Sequence, residues 1–136
     1  MQLTCSKVIA MEIAPTDRLI DIIDRFQQRY PLLGLRFYRS GHQSGQASAQ
    51  RDAIEDEDIL LSELNPKLEG GELPLDEQTT VEKLEADFDR CFGLHVQVFR
   101  KAGKSWIQTT NTDNWTLASQ QAIAAETEDF FKNIRR

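Results

Sequence analysis

The apolar positions of this chain trace a helix followed by a strand, and they do so twice. Leu19, Ile22, Ile23, Phe26 and Tyr30 lie at i, i+3, i+4, i+7 and i+11, one face of an amphipathic helix. Leu33, Leu35 and Phe37 then alternate with Gly34, Arg36 and Tyr38, the period of a half-buried strand. The order returns in Val81, Leu84, Phe88, Cys91 and Phe92, followed by Leu94, Val96 and Val98 alternating with His95, Gln97 and Phe99. Ile22, Phe26 and Tyr30 match Leu84, Phe88 and Phe92 at one constant offset. Phe37-Tyr38-Arg39 matches Val98-Phe99-Arg100 after one extra residue in Pro31-Leu32-Leu33, a place where a loop absorbs it.

Local signals place the ends of these elements. Pro15 and Thr16 sit where the first helix should begin, Thr79 and Glu82 have capping-box spacing before the second, and Gly93 suits its C-terminus. A strand should precede each helix. Leu3, Cys5, Ile9, Met11 and Ile13 alternate in the first copy, and Leu68 with Gly71-Glu-Leu-Pro-Leu75 serves in the second, where Pro74 confines the strand to an end or bulge. The resulting βαββαβ order predicts an α+β, ferredoxin-like fold with one antiparallel or mixed sheet and both helices on one face. A further strand, Trp106 to Thr110, should close a hairpin across Ala102-Gly103-Lys104.

A length of 136 residues suits one hydrophobic core. The reading makes 1–115 a single domain, with repeats at about 3–39 and 68–100 and a small-polar mobile loop at 40–58, and makes 116–136 a helical tail. Phe130, Phe131 and Ile134 in that tail are expected to dock on the domain or on another copy. The net charge of −6 is local: residues 1–50 carry +2, residues 51–90 carry −10 and residues 91–136 carry +2. Such a balance argues against a general nucleic-acid footprint. An RNA-recognition sheet is disfavoured too, because Tyr38 and Phe99 fall near the ends of outer strands rather than at its stacking positions. No basic leader followed by a long apolar run and no membrane-length apolar run is present, so a cytoplasmic location is expected. Cys5 and Cys91 fall on apolar faces and are expected as buried free thiols.

Motifs for chemistry are weak. Gly93 should end the helix between Cys91 and His95, which separates a nucleophile from its base. Cys5, His42, Cys91 and His95 lack zinc spacing, Gly70-Gly71 lacks the rest of a phosphate loop, and Asp56-Glu57-Asp58 lacks calcium-loop spacing. No catalytic residue, metal or cofactor is therefore assigned. The segment that stands out is Trp106-Ile-Gln-Thr-Thr-Asn-Thr-Asp-Asn-Trp115-Thr-Leu, with two Trp, four Thr, two Asn and one Asp in twelve residues. Asp113 or Thr116 could cap a last helix and the Trp side chains could cover the core. Aromatic and hydroxyl groups together also suit an interface, and Trp106, Thr109, Thr110, Thr112, Asp113 and Trp115 are its candidate residues.

Phe92-Gly-Leu-His-Val-Gln-Val-Phe-Arg-Lys-Ala-Gly103, followed by Trp106, Thr109-Thr110, Thr112-Asp113 and Trp115-Thr-Leu117, resembles the C-terminal signature of a family of small uncharacterised bacterial proteins. The resemblance implies a bacterial cytosolic source and lends no activity, cofactor or partner. The expectation drawn from the residues is a non-enzymatic interaction or adaptor module whose partner is a protein or a second copy. The alternative is a small-molecule-binding or enzymatic domain with a polar pocket near Thr110, Asp113 and His95.

Overall fold

In the computed structural model, which describes residues 9–39 and 52–134, strands of like position meet each other antiparallel. β1, Ile9–Ile13, pairs with β3, Gly71–Leu75, and Met11 faces Leu73 at the centre of the ladder. β2, Leu33–Tyr38, pairs with β4, His95–Ala102, and Arg36 faces Gln97. β4 continues into β5, Ser105–Gln108, through the expected hairpin at Gly103-Lys104. Among the described residues the fold is thus α+β with two antiparallel sheets, of two and three strands. This corrects the expected single ferredoxin-like sheet. Alternation fixes a strand's buried face but not its neighbour, and here each strand is satisfied by its own counterpart.

The registers carry further information. Leu73 lies 62 positions after Met11, the offset that carries Ile22 onto Leu84. Gln97 lies 61 after Arg36, the offset that carries Leu33 onto Leu94. Each ladder therefore contains a pair of matching positions set face to face.

Helix α1, Leu19–Arg29, packs on β2 and β1, and α3, Val81–Phe92, packs on β4 and β3. Leu19, Ile22, Phe26, Val81, Leu84, Phe88 and Phe92 join Leu33, Leu35, Phe37, Val96 and Val98 of the strands, and Leu94 just before β4, in one buried cluster. Phe37 meets Phe88 edge-on at 6.0 Å. Full burial of each such side chain is worth about 1.5–3 kcal/mol.

The helix starts differ from the sequence signals. α1 begins at Leu19, because Asp17 is engaged in fixing the preceding turn: its carboxylate accepts the Ala14 N–H at 2.9 Å and holds Arg25 through two bonds of 2.7 and 2.8 Å. α3 is capped by Thr80, whose Oγ1 accepts the Lys83 N–H at 3.1 Å, whereas Thr79 turns to Asp76. Gly93 ends α3 at φ 63°, and a side chain there would also meet Asn65 Nδ2 at 2.6 Å.

Free N–H groups at both helix starts are satisfied by a backbone clasp. Leu19 and Ile20 donate to the carbonyls of Ile59 and Glu57, and Leu61 at the head of α2, Leu61–Leu64, donates back to Asp17. Val81 and Glu82 donate to Trp115 and Asp113, and Leu117 at the head of α4, Leu117–Ile134, donates back to Thr79. The two sets agree bond for bond. The agreement reaches the strand edges, where Ile54 donates to the Phe37 carbonyl and Thr109 to the Val98 carbonyl.

α4 is integrated by Leu117, Gln120 and Ala124, all buried, and packs on β4 and β2. Gln120 accepts from Arg100 Nη1 at 2.7 Å and donates to the Thr112 Oγ1 and carbonyl, while Gln121 Oε1 accepts the Leu32 N–H. Two exposure expectations are corrected. Cys91 is exposed, because it lies beside rather than on the buried stripe of α3. Tyr38, expected on the open face opposite Leu35 and Phe37, is buried. Leu3, Cys5, His42 and residues 40–51 of the expected mobile loop lie outside the described residues.

Candidate functional site

The tryptophan- and threonine-rich segment divides into a structural half and an exposed half. Thr109, 1 % exposed, donates its Oγ1 proton to the Val98 carbonyl at 3.0 Å, which fastens the chain to the edge of β4 just beyond β5. Thr110 and Thr112 bound a 3₁₀ turn, Thr110–Thr112, and Thr112 accepts from Gln120 on α4. Asp113 is buried, and its carbonyl and that of Trp115 receive the first N–H groups of α3. Thr116 Oγ1 accepts the Ser119 N–H at 3.1 Å and caps α4, one of the two caps expected. Trp115 presents its ring to solvent at 39 % exposure while its backbone does the holding.

Trp106 belongs to a different surface. It stands on β5, 43 % exposed, with its ring across Gly34 of β2, where an added Cβ would meet Trp106 Cζ3 at 3.4 Å. The indole therefore packs at van der Waals distance over this position of β2. On its other flank Trp106 shares a cavity of about 470 Å³ with Phe131, Lys101, Lys104, Glu128 and Lys132. Phe131 closes over Gly103 in the hairpin turn and meets Phe130 edge-on at 5.8 Å. Phe131 and Phe130 are 39 % and 60 % exposed. Lys101 Nζ reaches Glu128 Oε1 at 3.3 Å, a partly exposed pair between β4 and α4.

The site residues named from sequence are therefore not one cluster. Phe131 and Lys132 join Trp106 at this cavity and Phe130 meets Phe131, although all three lie more than twenty positions away, and the only sequence signal for them is the weak apolar face near the end of the chain.

Chemistry elsewhere is sparse. His95 follows the helix-ending Gly93 and its Nδ1 lies 3.7 Å from Asp89 Oδ1, so it is turned to a carboxylate. Among the described residues no three His, Cys, Asp or Glu side chains gather to hold a metal ion, and no helix is long and apolar enough to cross a membrane. Two carboxylates have pKa values held below the ordinary Asp range. At Asp17 the hydrogen bonds from Arg25 outweigh burial, and at Asp87 burial raises the value but hydrogen bonds from Lys83 and Arg90 overcome it. Both belong to helix-stabilising ion pairs.

No family model, curated protein or solved structure matches the chain.

Proposed function

We propose that the protein is a non-enzymatic interaction module that grips an acidic segment of another protein through the surface centred on Trp106. The observation that carries this reading is an exposed aromatic set, Trp106, Phe131 and Phe130, beside a cavity bordered by Lys101, Lys104 and Lys132. Exposed contiguous apolar surface rimmed by charge is the usual mark of a protein contact. Lysines around an apolar centre favour a partner with carboxylates flanking a large apolar side chain. The rival reading, a pocket at Thr110 and Asp113, draws less support because Thr109, Thr112 and Asp113 are engaged in fastening β4, α4 and α3. The bacterial cytosolic setting expected from the sequence resemblance is part of the same reading.

We also infer that the domain is a tandem duplication of a strand–helix–strand unit that includes the clasp after it. The matched registers and bond-for-bond clasps support this. In that view the Thr109–Leu117 segment repeats the role of Ile54–Leu61.

A displayed peptide library panned against the wild-type chain, with counter-selection against Trp106→Ala/Phe131→Ala, tests the function. Enrichment of peptides with Asp or Glu around Phe, Leu or Trp is expected. Sequences that bind the double variant equally well, or a lack of acidic enrichment, would refute the proposed surface.

A further inference from the structure

The two matching units differ at one edge. In the second, the Glu85 carboxylate of α3 accepts the Val98 N–H at 2.9 Å, and Gln97 Nε2 lies 3.3 Å from the same oxygen. By the offsets of 62 for the helices and 61 for the strands, the corresponding residues in the first unit are Ile23, Phe37 and Arg36. Both donors persist there, the amide of Gln97 being replaced by the stronger guanidinium of Arg36, but the carboxylate is replaced by a hydrocarbon.

The Phe37 N–H turns away from β4, to the side on which the Phe37 carbonyl accepts from Ile54, and no described residue receives it. Arg36 has no ion-pair partner among the described residues. Phe37 is buried, and a buried backbone donor left unmade is costly.

Space accompanies the missing acceptor. After Ile54 the chain leaves the edge of β2 to reach the start of α1, where the Glu57 carbonyl accepts the Ile20 N–H. A cavity of about 470 Å³ opens in the gap, on the opposite flank of Trp106 from the lysine-bordered one. Ile23, Leu35, Arg36, Glu57, Phe99 and Trp106 line it. Its size falls within the range of small-molecule sites, and its make-up is apolar with a few polar groups.

We propose that this cavity binds an organic carboxylate with a flat apolar body, an aromatic acid or an apolar amino acid. The ligand carboxylate takes the place that the Glu85 carboxylate fills in the second unit and accepts from Arg36 and the Phe37 N–H. The apolar body lies against Trp106, Phe99 and Ile23. Glu57 stands at the wall where a ligand ammonium group would pair. This inference rests on the correspondence between the two units and is independent of the acidic protein partner.

The full chain in a Trp115→Phe background is titrated with 3-phenylpropionate, L-phenylalanine and L-phenylalaninamide, following Trp106 fluorescence and heat. At least one carboxylate should bind at millimolar concentration or below, and the amide should bind at least about tenfold more weakly than L-phenylalanine. Arg36→Gln should weaken carboxylate binding by a similar factor. Ile23→Glu, which installs the carboxylate of the second unit, should abolish it. Tighter binding of L-phenylalanine than of 3-phenylpropionate that disappears in Glu57→Gln identifies an amino acid ligand, and the reverse order identifies a simple acid. No binding by either carboxylate, or binding indifferent to Arg36→Gln, would overturn the proposal. Should Ile23→Glu fail to fold, the amide comparison and Arg36→Gln still decide.

Discussion

The carboxylate of Glu85 accepts the backbone N–H of Val98 at 2.9 Å, so that a helix side chain completes the edge of a strand where β5 has ended. Both groups are buried. Glu85→Ala leaves the Val98 N–H and the Gln97 amide without this acceptor and is expected to lower stability by about 2 kcal/mol, within the cost of losing a buried charge-assisted bond. Urea unfolding measures it. A loss below about 0.5 kcal/mol would show that the bond contributes little.

Tyr38 offers the opposite case. Its hydroxyl is buried and has no hydrogen-bond partner among the described residues. Tyr38→Phe removes an unsatisfied polar group and keeps the packing, so stability should rise by about 1 kcal/mol. A decrease on urea unfolding would mean that the hydroxyl is satisfied in solution.

Acid should weaken the fold through Asp17 and Asp87. Both carboxylates are held below the ordinary value, by Arg25 for Asp17 and by Lys83 and Arg90 against the pull of burial for Asp87. A depressed folded value means that the unfolded chain takes up protons first. The stabilisation is therefore complete above the unfolded Asp pKa of about 3.9 and is lost as pH falls through the folded values. Asp17→Asn and Asp87→Asn should each lower stability at neutral pH and flatten its fall in acid. An acid limb as steep as in the wild type would assign it to other carboxylates.

The clasps predict a matched pair of effects. Leu61 and Leu117 are both fully buried at the heads of the helices that follow the clasps, and both donate backward to the turn before the preceding helix. Leu61→Ala and Leu117→Ala should each cost about 2–5 kcal/mol. A large effect at one and a negligible effect at the other, read by thermal and urea unfolding, would break the equivalence of the two units.

Much of this was legible in the chain. The stripes of α1 and α3, the alternation of β2 and β4, Gly93 as a helix end and the Gly103-Lys104 hairpin all follow from local rules. Strand partnership was not, because Leu33 and Leu94 bury the same faces whichever strand lies beside them. The clasps were hidden for a related reason: Trp115 and Asp113 act through carbonyl groups that every residue owns. Glu85 did leave a signal, since it stands next to Leu84 in an otherwise apolar stripe where a charge needs a buried partner. The approach of Phe131 to Gly103 joins positions distant in sequence and had no local signature.

The most direct measurement is the affinity of an acidic, apolar-anchored peptide for the wild-type chain and for Trp106→Ala, by fluorescence anisotropy at low and high salt. Trp106 is exposed and its removal leaves the core in place, so folding should persist while affinity falls by at least about thirtyfold, the loss of an aromatic hot spot. Binding to the wild type should also weaken as salt screens Lys101, Lys104 and Lys132. A folded Trp106→Ala chain that binds as tightly as the wild type would contradict the proposed interaction surface.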